Sequence, residues 1–390
     1  MANTIGNEVD LMSPGRGHTF QEIIGQPELW SATWKSVRGK KSEIVEFLSE
    51  LKHFSNLQAI LTGAGTSAFI GEVLEGPFQR YTGMFTKAVA TTDLVTHPEL
   101  VFGHDRDTLL VSFARSGNSP ESAKAVELAG HLSRNVFHLV ITCNTDSALL
   151  KAVEGTDSLV LLLPPEANDK SLAMTGSFTA MLLSGLLISD IRDIDRNEFA
   201  VAIMREYGRK IFKDYFAALR HVAELDFDRA VFLGSGPMKG TARESHLKLQ
   251  ELTDGKVICK FDSFLGFRHG PKAVVNERTI LGYLFTNNDY ASRYEVDLVK
   301  GIAGGRKPLY SIGITEERLD GIDVDLLILL GDGKSKLSEE FLAIVSVLPA
   351  QLLGFLKSIQ LGLKPDNPSE SGMIHRVVQG VKIYPYEDVR

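Results

Sequence analysis

Ala59-Ile60-Leu61-Thr62 followed by Gly63-Ala64-Gly65 is a strand-length apolar run ending on a glycine turn, and it has an echo in Ala230-Val231-Phe232-Leu233 followed by Gly234-Ser235-Gly236. The offset, from 59 to 230, is 171 residues. The same offset carries Leu109-Leu110-Val111 onto Ile280-Leu281-Gly282, and Leu139-Val140-Ile141-Thr142 onto Tyr310-Ser311-Ile312-Gly313. Ser158–Leu162 falls on Leu329–Gly333, beside the apolar run Leu326–Leu330. One offset that matches several strands marks an internal duplication.

Within each copy the strand-length runs alternate with longer helical stretches. In the first copy the runs are Gln58–Thr62, Leu109–Phe113, His138–Thr142 and Ser158–Leu163. That alternation predicts an α/β protein in which each copy is a parallel sheet flanked by helices. The expected organisation is an N-terminal helical arm over 1–44, a first domain over 45–200, and a second over 205–390 that includes a C-terminal tail. A charged helical stretch around Asp190–Arg220 joins the two. The copies are unequal. Arg115-Ser116-Gly117-Asn118-Ser119-Pro120 of the first stands where the second has Thr286-Asn287-Asn288-Asp289-Tyr290-Ala291, and Ser67 becomes Met238.

A net charge of −7 disfavours nucleic acid or an anionic membrane as partner. Two distant cysteines, Cys143 and Cys259, build neither a disulfide framework nor a zinc site, and both read as buried, inert thiols in apolar runs. Met1–Asp10 carries no signal region, and the apolar stretches Met181–Ile191 and Ala343–Leu356 are too short or too interrupted to span a bilayer. The expectation is a cytoplasmic protein.

Two loops carry the chemistry of an anion site. Gly63-Ala64-Gly65-Thr66-Ser67 and Ser116-Gly117-Asn118-Ser119 both follow strands and both lead into helices. Such loops present backbone N–H groups, a positive helix end and hydroxyls to a phosphate. They would share one edge of one sheet, where open α/β folds bind ligands. Candidate phosphate contacts are Gly65, Thr66, Ser67, Ser116 and Ser119, with Arg115 as a fixed cation. Ser119-Pro120 also reads as an ordinary helix start, N-cap then first turn. Gly63-x-Gly65-x-x-Ala68 fits the loose dinucleotide fingerprint, but no acidic residue follows about 20 positions on, and a Walker lysine is absent.

In the second domain Thr241–Leu252 should form a helix opening from the Gly234–Gly240 loop. It aligns Glu244, Lys248 and Glu251 on one face at i, i+4 and i+7. A solvated ion-paired face explains that pattern as well as a catalytic one does. A carboxylate raised by burial, however, suits proton abstraction next to a carbonyl or imine. Further on, His269 precedes Gly270-Pro271 on a constrained turn.

These residues together resemble the sugar isomerase (SIS) domain family, and within it the AgaS group of galactosamine-6-phosphate deaminase/isomerases, often labelled tagatose-6-phosphate ketose/aldose isomerases. The stretches that carry the resemblance are Leu61–Gly71, Arg115–Ser122, Glu244–Glu251, Gly266–Lys272 and Arg376-Val377-Val378-Gln379-Gly380-Val381. It implies two tandem SIS domains of flavodoxin-like, three-layer form. It implies that Ser67, Ser116 and Ser119 hold the substrate's phosphate and that Glu251 moves a proton between C2 and C1. His269 would open the sugar ring, reaching in from a neighbouring subunit of a homodimer or higher oligomer, and Glu244 and Lys248 would lie beside the sugar. No metal or cofactor is implied. The resemblance also extends to the isomerase half of glucosamine-6-phosphate synthase. Gln379 stands where the synthase has a lysine, and no ammonia-making domain is present, so ammonia release is the more natural direction. The alternatives are isomerisation without loss of nitrogen, deglycation of a fructosamine 6-phosphate, and a sugar-phosphate-sensing regulator. No helix-turn-helix segment before residue 45 supports the last.

Overall fold

A computed structural model of the chain describes residues 17–370, 372–378 and 380–387. Gln379 and the first part of the N-terminal arm lie outside the described residues. The arm continues as α1 (His18–Ile24), α2 (Gln26–Gly39) and α3 (Lys41–Glu50). The first domain follows as β1 (Leu57–Thr62), α4 (Thr66–Thr82), β2 (Phe85–Ala88), α5 (Thr91–Thr96), β3 (Asp107–Ala114), α6 (Pro120–Leu132), β4 (Asn135–Thr142), α7 (Ala148–Ala152), β5 (Ser158–Leu162) and α8 (Gly176–Ser189). Two connecting helices, α9 (Asn197–Asp214) and α10 (Phe216–Glu224), lead to the second domain. That domain comprises β6 (Arg229–Gly234), α11 (Pro237–Leu252), β7 (Ile258–Asp262), α12 (Phe264–Phe267), β8 (Thr279–Leu284), α13 (Asp289–Ala303), β9 (Tyr310–Thr315), β10 (Leu326–Leu329), α14 (Glu339–Val345) and α15 (Leu348–Gln360).

The duplication is real in three dimensions. The first sheet has the order β2-β1-β3-β4-β5 and the second, read from its matching edge, β7-β6-β8-β9-β10, with every pairing parallel. Central β3 is buried at every position, which is why its sequence runs apolar rather than alternating. The edge strand β2, Phe-Thr-Lys-Ala, has no such run and gives no signal of its own. Cys259 lies in β7, and Cys143 one residue beyond β4. Burial pushes the Cys143 thiol up to about 12, and Cys259 moves the same way, so both are inert.

The two glycine turns repeat each other in dihedral detail. Gly65 has φ 55° and ψ −128°, and Gly236 has φ 52° and ψ −132°. Both values sit in the region that only glycine enters cheaply. The turn aims α4 and α11 from equivalent sheet edges, and these two helices pack directly on each other. The contact centres on Gly240, where an added Cβ would lie 2.7 Å from the Val73 backbone nitrogen and 3.0 Å from the Glu72 carbonyl carbon. Because those neighbours are backbone, Gly240→Ala should force the helices apart and destabilise the protein by about 3 kcal/mol. Urea denaturation would register this as a lower midpoint at unchanged slope; an unaltered midpoint would mean that the helices are free to separate.

The apolar stretches flagged in the sequence are core. All 14 residues of α8 are buried. The run Glu339–Gln360 is long and apolar enough to cross a membrane, but 94% of its 18-residue apolar window is buried inside the protein. One hydrophobic core runs through both domains and the arm. The arm ties the domains together: Trp30 Nε1 donates to Thr179 Oγ1 in α8 at 3.0 Å, and Gln26 Nε2 donates to Gln351 Oε1 in α15 at 2.6 Å.

Candidate active site

The packing of α4 on α11 brings the first domain's glycine turn against the polar face of the second domain's helix. Lys248 Nζ donates to Thr66 Oγ1 at 3.0 Å and to Glu251 Oε2 at 2.5 Å, and lies 3.4 Å from Glu244 Oε1. The Thr66 hydroxyl completes the circuit by donating to Glu244 Oε1 at 3.4 Å. The Glu244 and Lys248 side chains are fully buried, whereas Glu251 is 21% exposed. Glu251 is therefore the member of the three that a solute can reach.

Burial pushes the Glu244 carboxyl up to about 8; Lys248 opposes this and the Glu251 charge adds to it. One oxygen, Glu244 Oε2, is buried without a hydrogen-bond partner. Lys248 moves upward too. Burial alone would lower it, but the two carboxylates beside it more than offset the desolvation. The arrangement favours a charged lysine holding Glu251 from the inside, next to a carboxyl that keeps its proton near neutrality. The consequence for stability has a definite sign. Folded Glu244 binds its proton more tightly than the unfolded chain, whose carboxyl titrates near the ordinary 4.5. Its contribution is fully present below pH 4.5 and is lost as pH rises through about 8. Thermal midpoints should fall across that window, and Glu244→Gln should flatten the fall; an equally steep fall in the variant would exclude Glu244 as its source.

The other loop sits at the end of β3. Gly117, at φ 64°, approaches Ser147 so closely that a Cβ would lie 2.5 Å from its Oγ. Asn144 Nδ2 donates to the Ser116 carbonyl at 2.8 Å, and Asn118 Oδ1 accepts from the Ala148 N–H at 3.0 Å. These braces hold the loop rigid. Nothing in the sequence pattern singled them out, because they come from the loop after β4. Ser119 and Pro120 start α6 as expected, but the Ser119 hydroxyl donates to Glu121 instead of accepting a capping bond. Ser67 is buried at the start of α4 with its hydroxyl 4.0 Å from Met174 Sδ.

Two expected residues stand differently. Arg115 is buried, but its guanidinium faces carbonyls: Nη1 donates to Ser171 O at 3.3 Å and Leu172 O at 3.2 Å, and Nη2 to Arg376 O at 2.7 Å. The buried carbonyls of that loop need donors, and the arginine fork supplies them. His269 is exposed, between α12 and the turn Gly270–Val274. Among the described residues, no hydrogen bond or ion pair joins it to the Glu244–Lys248–Glu251 cluster.

A duplicated α/β fold, glycine turns feeding helices at both sheet edges, and a carboxylate–lysine–carboxylate face between the halves define the sugar isomerase class. The chain belongs to the SIS domain family, whose match covers residues 54–188. Within that family, D-galactosamine-6-phosphate deaminase AgaS of a Shewanella species is 38% identical over 99% of this chain and 96% of its own. A Streptomyces coelicolor relative that also bears the AgaS name is 42% identical over 95% of this chain and 96% of its own. Among solved structures, tagatose-6-phosphate ketose/aldose isomerase from Escherichia coli superposes with a TM-score of 0.88 at 34% identity, covering 99% of this chain and all of that one.

Proposed function

We propose that this chain is an amino-sugar-phosphate deaminase/isomerase that converts galactosamine-6-phosphate to tagatose-6-phosphate and ammonia. The observation that carries the reading is the placing of Glu251, partly exposed and held by buried Lys248, beside the Thr66 end of the first domain's anion-type loop. Gly65, Thr66, Ser67, Ser116 and Ser119 would anchor the 6-phosphate. His269 would open the ring. Its exposure and its lack of any tie to the cluster suit delivery from a second subunit, so the working form would be at least a dimer; a stable, active monomer in light scattering would overturn that part.

In the open chain Glu251 takes the C2 proton, the C2–H electron pair becomes an enolamine double bond to C1, and the C1 carbonyl π pair moves onto its oxygen, which takes a proton from solvent to become a hydroxyl. Returning the proton to C1 leaves a ketimine at C2. Water adds there, and nitrogen departs as ammonia, giving the ketose. Lys248 stabilises the Glu251 carboxylate before abstraction, and the protonated Glu244 presents no second negative charge to the developing enolamine. The names of the relatives above support both the amino-sugar substrate and the isomerase chemistry. The same base serves plain isomerisation of galactose-6-phosphate and tagatose-6-phosphate, which is the second reading.

Ammonia release from galactosamine-6-phosphate, with glucosamine-6-phosphate beside it, tests the proposal. Ammonia together with a ketose 6-phosphate from the galacto sugar is the expected result. Conversion between galactose- and tagatose-6-phosphate without ammonia would replace it with the second reading.

A further inference from the structure

We propose that Arg115 is a positioning residue, which fixes the wall of the phosphate cradle by stapling the Ser171–Leu172 loop to the C-terminal tail at Arg376. This rests on the functional reading above for what the cradle holds, and on geometry for the staple.

The staple is built from two sides. Arg115 reaches from the end of β3 to the carbonyls of Ser171, Leu172 and Arg376 at 2.7–3.3 Å. From the tail, Arg376 Nε donates to the Asp169 carbonyl at 3.0 Å and its Nη2 to Asn168 Oδ1 at 2.9 Å. The loop is thus held between two guanidinium groups. Asp169 in turn accepts from the N–H groups of Thr175, Gly176 and Ser177, which open α8. Met174, between these anchors, is the residue that packs on the Ser67 hydroxyl.

A displacement of the tail would therefore pass through the loop to the phosphate end of the site. Two like-charged guanidinium groups close enough to affect each other persist here because backbone carbonyls accept from both. An arginine assigned to a phosphate would keep its fork free for bidentate contact. Three acceptors in fixed directions instead ask for the planar fork itself, which a lysine cannot reproduce. That difference separates the two roles experimentally.

Arg115→Lys, Arg115→Met and Arg376→Ala are compared in the full chain. The measurements are kcat, KM for galactosamine-6-phosphate, competitive inhibition by inorganic phosphate, and the rate of chymotryptic cleavage after Tyr386, which precedes Glu387 in the tail. Positioning predicts that Lys and Met lose kcat alike, by about 10- to 100-fold, and weaken phosphate inhibition to the same extent as each other, because both release the wall that Met174 sets against Ser67. It also predicts faster cleavage of the tail, because local opening governs proteolysis. Arg376→Ala, which leaves Arg115 in place, should reproduce both effects; it carries the test if the Arg115 variants do not fold. The proposal is overturned if Arg115→Lys works like the wild type while Arg115→Met weakens phosphate inhibition tenfold or more. It is equally overturned if Arg376→Ala is fully active and cleaved no faster. A wild type that releases no ammonia would defeat the functional reading alone, since the cleavage rates report the staple without substrate.

Discussion

Glu251→Gln should lower ammonia release from galactosamine-6-phosphate by about 10²–10⁴-fold, with KM and the thermal midpoint close to those of the wild type. The amide has nearly the shape of the carboxylate and still offers an oxygen to Lys248, so the 2.5 Å contact has a successor. It lacks the basic oxygen that would take the C2 proton. Because Glu251 is partly exposed, the exchange leaves no buried orphan and the fold should tolerate it. Loss of basicity therefore appears in kcat. Incorporation of solvent deuterium into unreacted substrate or product, followed by NMR, should fall in parallel. A Glu251→Gln protein that turns over substrate normally would end the assignment of this residue as the base.

What the sequence discloses here follows physical lines. Strands β1, β3, β4, β6, β8 and β9 each carry a central apolar run because both faces of each sheet are covered, so the repeat at one fixed offset is visible. Beyond them the offset slips, and β10 begins at Leu326 rather than at the matching residue Leu329. Edge strand β2 is half exposed and polar, and hides. The i, i+4, i+7 spacing of Glu244, Lys248 and Glu251 places them on one face, but spacing cannot tell a solvated face from a buried one. That distinction comes from α4, whose packing at Gly240 covers the cluster. Arg115 shows the limit most plainly: a cation in a hydroxyl-rich loop suggests an anion, and only the positions of Ser171, Leu172 and Arg376, all distant in sequence, reveal other acceptors.

The inequality of the two halves also acquires a physical form. Thr286, at Arg115's position in the repeat, donates its N–H to Glu295 Oε2 at 2.9 Å and its hydroxyl to Glu339. The second domain's loop thus already faces two carboxylates of its own chain. Any charge on those carboxylates would oppose a phosphate there, and it is the second half that supplies the α11 face.

The largest stability effect is expected from Lys248→Met. Lys248 is fully buried between two carboxylates and accounts for three of the cluster's contacts. Removing the cation leaves Glu244 in a site with no countercharge, and breaking a buried pair in this way costs about 3–5 kcal/mol. Glu244 can reduce the loss by keeping its proton, since burial already holds its carboxyl at about 8. The penalty should therefore be smaller at pH 6 than at pH 9, where the wild type can ionise Glu244 beside Lys248 and the variant has no cation to pair with it. Adding Glu244→Gln to Lys248→Met should recover a large part of the stability, because the pair shares one interaction and the two changes are not additive. Urea midpoints for the four proteins at both pH values give the coupling directly. A single Lys248→Met that costs less than about 1 kcal/mol at pH 9, or a double variant as unstable as the sum of the singles, would mean that the lysine is not what makes a buried carboxylate tolerable between the two halves.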